Sequence, residues 1–250
     1  MTAVLQWMRP MPINKIIATA DEAVADIHDG AVLLVGGFGT IASCPSLLLE
    51  ALARTRIKYL TTVSNTPGFG SKQWKALGYK LPEDMEILFR NGQVKKAIVA
   101  APALVNLEHP LERGVNTGQI ELEMVSLGTL AERVRAAKAG IGAFYSPTGV
   151  GTDIEKGKES RIIDGRKYLL EYPIKADFGL IRAHKGDRWG NLVYRKGSRS
   201  INATMAGAAR ITIAEVDEIV DLGDLDPELI VTPGIYVDRV VARPEYVERT

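Results

Sequence analysis

Apolar and polar positions follow two rhythms along this chain. Over residues 15–28, "KIIATADEAVADIH", apolar groups recur at helical spacing (Ile16, Ala20, Ala23, Val24, Ile27), which predicts a helix ended by the Asp29-Gly30 turn. Residues 31–35 are continuously apolar, the pattern of a strand buried on both faces. A helix over 46–53 follows, begun at Pro45 or Ser46, then a β-branched strand over 58–64. The alternation continues with strands over 95–101 and 120–126, an amphipathic helix over 128–140 ended by Gly140, and strands over 177–183 and 210–220. Strand, loop, helix, strand predicts an α/β fold: a mostly parallel sheet with helices on both faces. Residues 161–172 differ, because two β-rich runs flank Asp164-Gly165, a hairpin turn signal. Residues 66–92 carry four glycines and two prolines and predict a long irregular connection of the kind that often serves function.

No internal repeat, low-complexity tract or linker interrupts this order, so one domain over 1–250 is expected. The totals agree: 250 residues, 46% hydrophobic and 24% charged, suffice for a full core. With 31 basic and 30 acidic residues, and no long basic cluster, a nucleic-acid surface is not expected. A single cysteine, Cys44, makes no intrachain disulfide and fits a reducing cytoplasm. The N-terminal "MTAVLQWMRPMPINK" lacks the apolar core of a signal peptide, and no run nears the ~18 apolar residues of a membrane span. His28, His109 and His184 are far apart and show no ligand spacing, so no metal is expected.

Candidate chemistry concentrates at 29–45, "DGAVLLVGGFGTIASCP". The first strand empties into Gly36, Gly37, Phe38 and Gly39, and Gly37 to Ala42 fits G-x-G-x-x-G/A. Such a loop lets backbone approach a phosphate at a helix N-terminus. A dinucleotide site also needs an acid about 20 positions on, but no Asp or Glu lies between Arg54 and Gly70. The Walker pattern G-x-x-x-x-G-K-[ST] is absent too. A packing turn is the alternative reading of the glycines.

The segment "DGAVLLVGGF", the block "GTLAERVRAAKAGIGAFYSPTGVGT" (128–152), "KADFGLIRAHKGDRWGNLVYRK" (175–196) and "DLDPELIVTPGIYVDRVV" (225–241) resemble, in order, the alpha, or A-type, subunits of the family I coenzyme A transferases acting on 3-oxoacids, acetoacetate or 3-oxoadipate. The resemblance implies transfer of CoA from an acyl-CoA to a carboxylic acid by covalent, ping-pong catalysis. In that family the nucleophile is a glutamate in a Ser-Glu-Asn-Gly motif of the other, B-type, subunit. No such motif occurs here, so no catalytic residue is expected in this chain, and Glu155 is a superficial candidate in a polar turn. A hetero-oligomer with that glutamate-bearing subunit is implied, with acyl-CoA as substrate and no permanently bound cofactor. Hydrolysis of CoA thioesters, ring opening, or non-catalytic CoA-ester binding are the alternatives on the same fold.

The resemblance also implies a site. Gly36, Gly37, Phe38, Gly39, Thr40, Ile41 and Ala42 would line the CoA or acyl pocket, with Asn65 facing it after the second strand, where a turn or helix cap is its other reading. Leu127 and Gly128 stand where the family reads Gln-Gly in Pro-Gln-Gly-Thr-Leu, and an apolar residue there implies an acid other than succinate or a simple 3-oxo acid. The loop "GTIASCP" is one residue longer than the family's, with Ala42-Ser43 where a glycine is usual. In "GDRWGN" (186–191), Asp187, Gly190 and Asn191 predict a structural turn and Trp189 a packing anchor, while Arg182, His184 and Lys185 could reach a phosphate.

Overall fold

A computed structural model describes residues 13–38, 43–70, 82–101 and 109–243. Its frame is a parallel sheet built from β1 (Val32–Val35), β2 (Leu60–Ser64), β3 (Val94–Val99), β4 (Glu121–Met124), β8 (Ala176–Asp187), β10 (Ala209–Val220) and β11 (Arg239–Ala242), in the order β11-β10-β8-β1-β2-β3-β4. A short β9 (Leu192–Val193) returns antiparallel on β8. A separate antiparallel sheet of β5 (Phe144–Ser146), β6 (Ser160–Ile163) and β7 (Arg166–Glu171) contains the expected hairpin, with Asp164 and Gly165 at φ 50° and 76°. Both residues sit in the left-handed region that a two-residue hairpin turn requires.

Successive residues of β1 enter different cores. Leu33 packs with α1 (Ala20–Ala23), α2 (Ser46–Ala53), α3 (Glu86–Arg90) and α4 (Pro110–Asn116) on one face. Leu34 packs with α5 (Leu127–Lys138) and α6 (Ser200–Met205) on the other. This period of two, with apolar residues at both phases, is why the strand reads as an unbroken apolar run. From β1 the chain builds outward through β2, β3 and β4, then returns to the other side of β1 through β8, β10 and β11. The reversal at β1/β8 is the kind of switch point where open α/β sheets bind ligands, beyond the C-terminal strand ends.

Several elements depart from their sequence patterns. The helix expected over 15–28 is confined to Ala20–Ala23. Ile16 instead forms a parallel bridge to Val240, and the Thr19 hydroxyl accepts the Glu22 N–H to start the helix late. Its end is tied down by Arg239, which donates to the Ala23 carbonyl and to Asp26. The second strand begins at Leu60 because Tyr59 takes φ 63°. β8 and β10 run to 12 residues each, longer than the apolar runs within them, because they pair with each other past the end of β1. α5 ends as expected at Gly140, φ 71°, where the Ile141 N–H reaches the Ala136 carbonyl. Within the irregular 66–92 stretch, the described part contains α3.

The chain also closes on itself. The Ile17 N–H donates to the Val240 carbonyl, the Val240 N–H to the Lys15 carbonyl, and Lys15 Nζ to the Gly234 and Val237 carbonyls. The outer edge of β11 is thereby covered, which removes an open template for strand addition.

His109 caps α4: its Nδ1 accepts the Leu111 N–H at 3.0 Å, which places the proton on Nε2. The ring is 8% exposed and packs edge-on to Phe89, and Nε2 has no hydrogen-bond partner among the described residues. Burial holds its pKa down, to about 4. The unfolded chain therefore binds this proton near pH 6.5 while the folded chain refuses it, and stability falls as pH drops from about 6.5 towards 4, by roughly 3 kcal/mol for this group. His109→Asn keeps a capping side chain. Denaturant titrations from pH 7 to pH 4 should show the variant losing less stability than the parent.

Candidate active site

β1 leads directly into the expected glycines. The Gly36 N–H donates to the Leu180 carbonyl at 2.9 Å, extending the pairing with β8 by one residue. A Cβ on Gly36 would lie 1.7 Å from Asn202 Oδ1, so the Asn202 side chain already occupies the space a larger residue would need. Asn202 is fully buried. Its Oδ1 accepts the Arg182 N–H, and its Nδ2 donates to the Ser43 and Ser198 carbonyls. One amide thus ties α6, β8 and the returning arm of the glycine loop together. Gly37 has φ 123°, a conformation few side chains tolerate, and its N–H makes no hydrogen bond to a described residue. The Phe38 N–H donates to Ser43 Oγ while its ring stands half-exposed.

The N-terminus of α2 is not free to bind phosphate. Glu215, on β10 and fully buried, accepts the Leu47 and Leu48 N–H groups at 2.8 and 3.2 Å. Arg243 donates to the same carboxylate and to Ser46 Oγ. The protein supplies its own anion to the positive end of the helix dipole. Burial pushes the Glu215 pKa up, against the pull of Arg243, Arg182 and the two N–H groups. Beside it, Asp217 accepts from Arg182 and His184, while Lys185 pairs with Glu218, so the three residues considered for phosphate each have a carboxylate partner.

A cleft opens at the C-terminal ends of β1 and β2, bordered by Gly36, Gly37, Cys44, Asn65, Phe69 and Asp84. Asn65 is 8% exposed and its side-chain amide makes no hydrogen bond to a described residue, so it lines the cleft and does not serve as a cap. Its carbonyl accepts the Ala100 and Ala101 N–H groups, which fixes the strand end. Asp84 is buried and spends both oxygens on backbone: Phe69 N–H at 2.6 Å, Gly70 N–H at 3.1 Å and Glu86 N–H at 3.0 Å. Burial raises its pKa, outweighing those hydrogen bonds. The Cys44 thiol is pushed well above its usual range by burial and by the nearby Asp84 and Glu215 charges, so it stays protonated.

The structure brings Gly36, Gly37 and Asn65 into one cleft, and Phe38 follows them half-exposed. Leu127 and Gly128 begin α5 after β4, two strands across the sheet from Asn65, and do not line the cleft. Gly39, Thr40, Ile41 and Ala42 lie outside the described residues. Glu155 accepts from the Gly151 N–H and Lys167, which makes it a brace for the small sheet. The 186–191 turn is structural as read: Asp187 accepts the Trp189 and Asn191 N–H groups, and Gly190 has φ 86°. Trp189 is not the packing anchor expected of it. The residue is 48% exposed, and its carbonyl lies against Gly234. Among the described residues no group of three or more His, Cys, Asp or Glu is arranged to hold a metal ion. Asn202, Glu215 and Asp84 carry no sequence signal: each is a lone polar residue whose partners are distant in the chain.

The coenzyme A transferase profile matches residues 17–243. The chain belongs to the coenzyme A transferase family. It is 49% identical to the A-subunit of 3-oxoadipate CoA-transferase from Pseudomonas putida, over 92% of this chain and 94% of that one. It is 43% identical to the A-subunit of the probable succinyl-CoA:3-ketoacid coenzyme A transferase from Bacillus subtilis, over 92% and 90%. This CoA-transferase chain is thus of the A-subunit type. Its fold matches an acyl-CoA transferase of E. coli O157:H7 solved as a thioester complex with CoA (TM-score 0.77, 23% identity), covering 92% of this chain but 50% of that one. It also matches glutaconate coenzyme A-transferase of Acidaminococcus fermentans (TM-score 0.74, 22% identity, 92% and 76% covered).

The crowding at Gly36 is directly testable. Gly36→Ala should displace the Asn202 amide and lower unfolding free energy by roughly 2–4 kcal/mol in urea denaturation. Gly128→Ala, with open space around its Cβ, should be neutral or slightly stabilising.

Proposed function

We propose that this CoA-transferase chain forms, as one A-type domain, half of a cytoplasmic hetero-oligomeric enzyme whose partner subunit supplies the nucleophilic glutamate. The observation that carries this reading is a cleft with polar donors but no free carboxylate or thiolate among the described residues. Asp84 is consumed by backbone N–H groups, Glu215 is sealed under α2, and Cys44 is protonated. The Gly37 N–H and the Asn65 amide, without partners among the described residues, remain to bind a thioester carbonyl or a carboxylate. Spanning half of a longer transferase chain of the same fold supports a missing half.

In this mechanism the partner's glutamate carboxylate attacks the acyl-CoA carbonyl and expels CoA thiolate, leaving a mixed anhydride. The thiolate then attacks the glutamyl carbonyl and releases the first acid, giving an enzyme–CoA thioester. The acceptor acid reverses both steps, forming new acyl-CoA and restoring the glutamate. The Gly37 N–H and Asn65 amide hold the oxygen on which negative charge develops, and CoA is a substrate, with no permanently bound cofactor required.

For the acid, the names of the similar subunits favour a 3-oxo acid. The other reading, an acid other than succinate or a simple 3-oxo acid, rests on Leu127, which starts α5 after β4 and is not among the residues bordering the Gly36–Asn65 cleft. Co-expression with the neighbouring reading frame should yield a complex with ping-pong kinetics and a hydroxylamine-sensitive CoA thioester on the partner's glutamate. Asn65→Ala should lower kcat/KM by about tenfold to a hundredfold without dissociating the complex. Turnover by this chain alone, or a thioester on this chain, defeats the reading. A donor and acceptor panel reads the acid, and failure of every 3-oxo acid defeats that part.

A further inference from the structure

Two backbone irregularities meet at the opposite end of the sheet. Tyr59 takes φ 63°, a region bulky aromatic residues avoid, yet its ring is 66% exposed, so packing does not account for it. The conformation is held by its neighbours: Lys58 N–H donates to Asp29 Oδ1, and Leu60 N–H to the Gln93 carbonyl. One step on, the pairing of β2 with β3 slips. Leu60 faces Val94 and Thr61 faces Lys96, leaving Lys95 as the extra residue of a bulge. Bulges re-aim side chains and are concentrated beside functional sites, and strain kept at an exposed residue points the same way.

Tyr59 and Lys95 line one groove at the N-terminal edge of β2 and β3, together with Arg113 of α4. Lys95 and Arg113 are exposed and have no ion-pair partner among the described residues. The third cation, Arg90, is already paired with Glu83 and Glu86. No Asp or Glu lines the groove among the described residues. The Gly36–Asn65 cleft lies beyond the far end of β2, roughly 16 Å away at about 3.3 Å per residue.

We propose that this groove is a second ligand site, separate from the transfer cleft, for a nucleoside phosphate: the Tyr59 ring stacks on the base while Lys95 and Arg113 hold the phosphates. An aromatic face with two unneutralised cations suits that ligand, since bases stack on aromatic rings and phosphates seek Lys and Arg. The strained backbone presents the ring to the groove, and the bulge presents the lysine.

Calorimetric titration of the enzyme, in complex with its partner subunit, tests this with adenosine diphosphate and inorganic phosphate as probes. Saturable diphosphate binding is expected, tighter than that of phosphate. Tyr59→Gly should weaken it about tenfold or more, and the double variant Lys95→Ser/Arg113→Ser should do so as well. In both, KM for acyl-CoA should match the parent. Glycine suits φ 63°, so Tyr59→Gly should leave Tm unchanged or raise it. The proposal is overturned by absence of saturable binding, by binding that survives both variants, or by phosphate binding as tightly as the nucleotide. Three other results overturn it equally: a Tm loss beyond about 5 °C in Tyr59→Gly, a raised KM for acyl-CoA, or a single-stranded oligonucleotide binding more tightly than the mononucleotide.

Discussion

The fold turns on a carboxylate buried against a helix end. Glu215 comes from β10, late in the chain, and satisfies the first N–H groups of α2, formed early in it. Pro45 gives that helix no side-chain cap, so the orphan donors would otherwise be buried without partners. A lone buried carboxylate would be costly, and Arg243 offsets that cost from the end of β11. One three-way contact thus joins the first half of the sheet to the second and sets how the glycine arm leaves β1. With the helix end already met by Glu215, the bare backbone of Gly36 leaves room for the buried Asn202 amide.

The cleft is built from groups that hold their own backbone in place. Asp84 pins the Phe69–Gly70 turn, Asn202 pins Ser43 and Arg182, and the Asn65 carbonyl pins the segment after β3. These bonds fix the walls of the cleft, and under the proposed reading fixed donors suit charge that develops only in a transition state. Similar chains of the family are called subunits.

Much of the fold was legible from hydrophobic periodicity, because the central strand β1 is apolar on both faces and α5 buries one stripe of Leu130 and Val134. The Asp164-Gly165 hairpin and the Gly140 helix stop were legible because local backbone chemistry alone decides them. The N-terminal helix was misread for the opposite reason: Ile16 and Ile17 fit a helical stripe, but pairing with Val240 won, and that partner lies at the other end of the sequence. The place of Gly36, Gly37 and Asn65 just beyond strand ends was legible from the apolar and β-branched runs before them. Asn202, Glu215 and Asp84 were not, since a single polar residue gives no period and its meaning resides in distant partners. Trp189 shows the limit of composition: a large aromatic ring invites burial, yet here the turn's backbone is what packs.

The pairing of the chain's two ends has a consequence for how the molecule is made. Lys15, Ile16 and Ile17 are among the first described residues to leave the ribosome, but their partner Val240 is among the last. Almost the whole chain must be synthesised before that edge of the sheet can close. During translation the N-terminal segment has no native place to dock, although the β1–β4 side can already assemble. Completion of the fold is therefore a late, long-range event, and the stretch most exposed to misassembly before then is the early one.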